Sequence, residues 1–204
     1  MPSHEHGGEG KPAGFNPTPE EIEKFYSESE RVWSGNPNST LVAVGSEMPA
    51  GRALDVGCGE GADMLWLLRQ GWKVTGIDLS RTAAARTREV LTQAFPEHLD
   101  CFEVVHGNFL EFNAEPFDLV TVHYSQLPAQ PATIQAMESL VAPGGTLLYV
   151  HHDFDSGEVA SPRWVAENLV ELALEKQYTS ERNISVGAGA HHHLDVVTVA
   201  KRTG

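Results

Sequence analysis

Cysteine, positive charge and long apolar runs are all scarce in this 204-residue chain. Each shortage excludes a class of protein. Two cysteines, Cys58 and Cys101, cannot build a disulfide scaffold and fit a reducing compartment. Lys and Arg number 14 against 28 Asp and Glu, a net charge of −14. A phosphate backbone or an anionic membrane would meet net repulsion, so neither nucleic acid nor membrane is expected as a partner. No stretch approaches the roughly 20 apolar residues that cross a bilayer. Residues 1–20 lack the charged start and apolar run of a secretory leader. The expectation is a soluble cytoplasmic protein. With 41% hydrophobic residues, the composition suffices for one core. At about 150 residues per domain, the length predicts one domain with an added arm.

Residues 1–17, rich in Gly, Pro, His and Glu, read as a flexible tail. An N-terminal helical arm or lid is expected over 18–48, and the main domain over 49–204. Thr18 suits a helix N-cap, with Pro19 in the first helical position and Glu20, Glu21 and Glu23 near the positive helix end. Ile22, Phe25 and Tyr26 share a face. A break at Trp33-Ser34-Gly35-Asn36-Pro37-Asn38 leads to a second helix, about Ser39 to Met48.

From Arg52 onward strand and helix patterns alternate. Strands are predicted at 53–56, 73–78, 102–106, 117–122 and 146–150. Helices are predicted after the first glycine turn, at 81–94, at 131–141 (stopping at Pro143-Gly144-Gly145) and at 162–174. Two late strands, about 178–186 and 194–200, have no helix between them. Alternation implies an α/β doubly wound, parallel sheet with helices on both faces. The last two strands should form an antiparallel hairpin.

The chemistry concentrates at Asp55-x-Gly57-x-Gly59-x-Gly61, between a buried strand and a helix. Glycine lets the backbone turn sharply and approach a ligand closely. The next helix offers free N–H groups. Asp78 ends the second strand, where a carboxylate can accept both hydroxyls of a ribose. Gly57-Cys58-Gly59-Glu60-Gly61-Ala62 also fits the dinucleotide fingerprint, so an NAD(P)-dependent oxidoreductase is an alternative. Asp55 weighs against it, since a carboxylate there would repel a pyrophosphate and would suit an ammonium group. The extra glycine and the terminal hairpin weigh the same way.

Leu54 to Gly61, Val74 to Ser80, Phe117-Asp118-Leu119-Val120 and Leu140 to Gly145 together resemble the class I S-adenosylmethionine (SAM)-dependent methyltransferases. The segment 33–38 resembles, more weakly, the small bacterial thiopurine, thiol and tellurite methyltransferases. The resemblance implies a Rossmann-like seven-stranded sheet of order 3-2-1-4-5-7-6 with strand 7 antiparallel. It implies SAM as cofactor, with Gly57, Gly59 and Gly61 along its methionine part and Cys58 as an ordinary small residue of the turn. Asp55 would lie near its amino group, Asp78 on its ribose and Leu79 on its adenine. Asn108 and Phe109 follow strand 3, where the family often places an acid on the adenine amino group. Asn108 keeps a carbonyl oxygen that can accept the same bond. Trp33 and His123 complete the expected cofactor contacts.

The acceptor space in this fold lies above strands 4 and 5. Strand 4 leads into His123-Tyr124-Ser125-Gln126-Leu127-Pro128, without the Asn/Asp-Pro-Pro-aromatic motif of base amino-group methylases. Five of the ten histidines fall at His151-His152 and His191-His192-His193. Antiparallel pairing of strands 5 and 7 would bring both runs to one edge, near His123. Three readings stay open. His123, His151 and His191 can act as general bases toward a thiol or phenol. Three histidines can instead hold a metal such as zinc. Or the rings face solvent and satisfy strand edges. The expected enzyme methylates a small-molecule acceptor, thiol-like or phenolic, without a metal. A non-catalytic SAM- or metal-binding module is the remaining alternative. The sequence does not set the oligomeric state.

Overall fold

The computed structural model describes residues 17–154, 157–181 and 194–204. The N-terminal arm contains α1 (Pro19–Ser27) and α2 (Ser39–Gly45). Then follow β1 (Arg52–Val56), α3 (Ala62–Arg69), β2 (Lys73–Asp78), α4 (Arg81–Ala94), β3 (Phe102–His106), β4 (Phe117–His123), α5 (Pro131–Ser139), β5 (Val141–His152), α6 (Pro162–Asn168), β6 (Ala173–Glu181) and β7 (Leu194–Lys201). The seven strands lie in the order β3-β2-β1-β4-β5-β7-β6. Strand β7 runs antiparallel to both β5 and β6, and the other pairings are parallel. The expected fold class and order are present.

Local chemistry explains the helix starts. Thr18 and Glu21 form a reciprocal capping box ahead of Pro19. Ser80 caps α4 through the Ala83 N–H, and Ser161 caps α6 through Trp164, with Pro162 in the first turn. Alternation along the central strands builds two core layers. Leu54, Val56, Val120, Val122, Leu147 and Tyr149 pack with Ile134, Met137 and Val165 of α5 and α6. Ala53, Leu119, Leu148 and Val150 pack on the opposite face with Met64 and Leu67 of α3 and Leu91 of α4. Period-2 alternation with both faces apolar is what a helix-covered sheet requires. No helix among the described residues is long and apolar enough to cross a membrane.

Four boundaries depart from the sequence reading. Helix α2 stops at Gly45 instead of Met48, where a Cβ on Gly45 would sit 3.0 Å from the Trp66 ring. The Pro143-Gly144-Gly145 segment lies inside β5, which starts at Val141 paired with Phe117. Register shifts there, and Gly144 and Gly145 exchange backbone bonds with Arg202, so the motif makes an irregular strand entry. Helix α6 ends at Asn168, six residues before the expected 174, and β6 begins at Ala173 instead of about 178. Buried Glu138 accepts the N–H groups of Val170, Glu171 and Leu172, which pulls that segment out of helical bonding. The second part of the expected strand 178–186 lies beyond the described residues.

Candidate active site

The glycine turn is locked in place by its neighbours. Gly57, Gly59 and Gly61 have φ values of 74°, 54° and 81°, where a side chain is strained. Gly57 and Cys58 donate to the Ile77 carbonyl at the end of β2. Asp78 accepts the Gly59 N–H at 2.9 Å on one oxygen and the Ser80 N–H at 2.8 Å on the other. Thr87 of α4 donates to the Gly59 carbonyl. Asp78 therefore points at the turn, and each of its oxygens keeps a second lone-pair direction for a ribose hydroxyl. Burial pushes the Asp78 carboxyl above its ordinary value, and the two N–H bonds partly offset this.

Asp55 at the end of β1 is 3% exposed, and its Oδ2 is buried without a hydrogen-bond partner. Burial first, then the charges of Asp63 and Asp78, raise its pKa well above the carboxylate range. Asp63 and Asp78 are each 6% exposed. Three buried carboxyls around one glycine turn make a site short of positive charge. An ammonium group there would satisfy Asp55, whereas a pyrophosphate would meet only repulsion. Cys58 is buried, and burial, Asp78 and Asp55 push its thiol up. A neutral buried thiol has no nucleophilic role.

The arm folds over this turn through acceptors that belong to the main domain. The Glu60 carboxylate accepts the N–H groups of Val32 and Trp33 and pairs with Arg86 at 2.9 Å. Asp63 accepts the backbone and side-chain N–H groups of Asn38, both at 2.7 Å. Trp33 is half-buried, donates its indole N–H to Tyr26 at 3.0 Å, and lies 3.3 Å from where a Cβ on Gly59 would be. From the arm side, Glu23 accepts the Ser80 and Thr82 hydroxyls and the Thr82 N–H. These bonds lower the Glu23 pKa from 4.5 to about 2. The docking they provide is complete above about pH 4.5 and is lost as pH falls toward 2. Glu23→Gln is expected to speed amide exchange across α1 several-fold at neutral pH. Unchanged exchange would show that Glu23 does not hold the arm.

On the acceptor side, β4 ends in His123, which is 8% exposed. Its Nδ1 lies 2.7 Å from the Thr121 hydroxyl and 3.4 Å from Asp63, and its Nε2 3.0 Å from the Thr40 hydroxyl of α2. His123 thus joins β4 to the arm and to the acid cluster. The next residue, Tyr124, has its ring 6.2 Å from His123, 5.9 Å from His151 and 4.9 Å from His152. The ends of β4 and β5 and the start of β7 meet around Tyr124, whose hydroxyl donates to Asp195. His191 lies outside the described residues, as do His192 and His193. Among described residues no group of three or more His, Cys, Asp or Glu has metal-holding geometry.

Residues 53–145 match the family model described as a methyltransferase domain. A probable thiol methyltransferase 2 of Arabidopsis thaliana is 29% identical over 179 residues, 81% of this chain and 78% of that protein. A thiopurine S-methyltransferase of Vibrio atlanticus is 29% identical over 127 residues, 55% of this chain and 58% of that protein. The solved N-methyltransferase NodS of Bradyrhizobium japonicum, in complex with S-adenosylhomocysteine, superposes with a TM-score of 0.70 at 17% identity. That alignment covers 91% of this chain and 98% of NodS. These similarities support a class I SAM-dependent methyltransferase.

SAM is accordingly the cofactor of this methyltransferase, and the oxidoreductase alternative falls. The residues present fit it. The orphaned Asp55 oxygen suits the ammonium, and Asp78 is buried beside the turn where a ribose would lie. Half-buried Leu79 sits between Asp78 and the α4 cap. Asn108 spends one carbonyl direction on the Leu110 N–H. Phe109 is 4% exposed and packs into the core with Ile77, so its side chain serves the sheet. Sequence reasoning missed Glu23, Glu60, Asp63, Tyr124 and Asp195. Glu60 lay inside the glycine motif, Asp63 two residues after its last glycine, and Asp195 two residues after a histidine run.

Proposed function

We propose that this methyltransferase acts on a small-molecule acceptor, thiol-like or phenolic. The observation that carries this reading is the aromatic and histidine cluster at the β4 and β5 ends. It combines Tyr124, His151 and His152 with Gln126, whose amide lies 3.2 Å from His151. Such a surface offers soft ring faces and proton acceptors. A phosphate backbone would meet the net charge of −14. The relatives named as thiol and thiopurine methyltransferases support the same acceptor class.

SAM supplies a methyl carbon that its sulfonium already activates. The protein's work is then to hold the acceptor about 3 Å away and in line, and to remove its proton. His123 and His151 are assigned to the acceptor pocket, with His191 as a third candidate. His123 would fix the pocket to the arm, and Trp33 would face the cofactor from above. The arm, residues 18–48, would act as a lid that excludes water from the main domain, 49–204. The paucity of cysteine supports a cytoplasmic location.

A radiolabelled-methyl assay over thiols, phenols, amines and oligonucleotides tests the reading. Transfer to thiols or phenols at least tenfold above amines and oligonucleotides is expected. Preferential transfer to amines or oligonucleotides would contradict it.

A further inference from the structure

One cluster at the acceptor side has the connectivity of a proton relay. Antiparallel pairing sets His152 of β5 directly opposite Asp195 of β7. Asp195 is 4% exposed. One carboxylate oxygen lies 3.1 Å from His152 Nδ1, and the other accepts the Tyr124 hydroxyl at 2.6 Å. Tyr124 reaches it from a backbone φ of 56°, the sole positive φ of a non-glycine residue among those described. Strain of this kind is retained where a site needs the side chain aimed. The following residue, Ser125, donates to the Val56 carbonyl, and its hydroxyl stands 1.8 Å from where a Cβ on Gly57 would be. The cluster is thus one residue removed from the wall of the cofactor turn.

The three described histidines of this region are held differently. His151 is 1% exposed, its Nδ1 accepts the His152 N–H, and its Nε2 meets Gln126. His123 has the Thr121 hydroxyl at 2.7 Å and Asp63 at 3.4 Å on Nδ1, and its Nε2 is already engaged by the Thr40 hydroxyl at 3.0 Å. At His152 the partner of Nδ1 is a carboxylate, which can only accept. Nδ1 must then carry the hydrogen, and the lone pair of the neutral ring falls on Nε2.

We infer that His152 is the general base of the methyl transfer, with Asp195 and Tyr124 as its positioning residues. The inference rests on the acceptor class proposed above. The acceptor X–H bond breaks, its proton passes to His152 Nε2, and its electron pair stays on X. That pair forms the bond to the methyl carbon as the carbon–sulfur pair returns to sulfur. The imidazolium, stabilised by Asp195, then returns the proton to solvent. Among the described residues, His151, Tyr124 and Asp195 are titratable groups that face His152.

Two measurements on the full chain test this. Nitrogen-15 NMR of the histidine rings, without cofactor, should show His152 with hydrogen on Nδ1, and Asp195→Asn should abolish that preference. Methyl transfer by His152→Gln should fall about 10²–10⁴-fold for 2-mercaptoethanol, which must lose a proton. The fall should be at least tenfold smaller for 4-nitrothiophenol, which is already ionised at neutral pH. If Asp195→Asn does not fold, Tyr124→Phe keeps the carboxylate and should lose about tenfold on the weakly acidic thiol alone. An Nε2-protonated His152, or equal losses on both thiols, would overturn the relay. Calorimetry with SAM on the wild-type chain is read separately. Absence of binding there would overturn the methyltransferase reading, while the ring tautomer still decides the relay.

Discussion

Asp78→Ala should weaken SAM binding by about 10²–10⁴-fold while changing thermal stability little. The carboxylate sits beside the glycine turn, buried, with one lone-pair direction on each oxygen taken by the N–H groups of Gly59 and Ser80. Two ribose hydroxyls would take the others. Hydrogen bonds to a charged group contribute about 1.5–3 kcal/mol each, and the pair gives the range stated. On folding, opposing effects meet. Alanine leaves two backbone donors without their acceptor, but it also removes a carboxyl whose charged form burial disfavours. Calorimetry and a thermal melt on the same preparation check both halves. An affinity within threefold of wild type would remove Asp78 from the ribose site.

Asp55→Asn should move stability and binding in opposite directions. In the folded chain without cofactor, burial and the charges of Asp63 and Asp78 hold the Asp55 pKa well above that of an unfolded chain. The folded state therefore binds the proton more readily than the unfolded state. Stability declines as pH rises from 3.8 through the raised pKa, and the full penalty persists above it. Asparagine carries no such penalty, so the melting temperature should rise, by about 2–4 °C per kcal/mol relieved. The variant also loses the anion that would meet the cofactor's ammonium, which should cost about 10–150-fold in SAM affinity. In the wild type, SAM affinity should rise with pH as Asp55 ionises, then fall as the ammonium deprotonates near pH 8. Asparagine should flatten the acid limb. A variant with lower stability and unchanged affinity would place Asp55 in the scaffold only.

What the sequence made readable was local. The glycine turn, the acid ending β2 and the capped start of α1 each depend on residues within a few positions of one another. The parallel, helix-covered sheet followed from strand–helix alternation, and its strand order from the family resemblance. The misread parts depend on partners far along the chain. Nothing near residue 170 announces that Glu138, more than 30 residues earlier, captures three of its N–H groups and ends α6 early. Pro143-Gly144-Gly145 looked like a helix stop because Arg202, which ties it into β5, is the third residue from the end. The site divides the same way. Asp55 stands in the glycine motif and Asp78 ends β2, and Asn108 and Phe109 follow β3, with Phe109 packed into the core. The acidic clamps on the arm and the Asp195–His152 pair appear only when β5 and β7 align and α1 lies on α4.

The central claim is that the acid-lined turn after β1 takes the amino-acid end of SAM while Asp78 takes its sugar. Calorimetric titration of the wild-type chain with SAM, beside an identical titration with NADH, tests it most directly. Saturable one-to-one binding of SAM and no heat from NADH is the predicted result. Binding of NADH without binding of SAM would contradict the account.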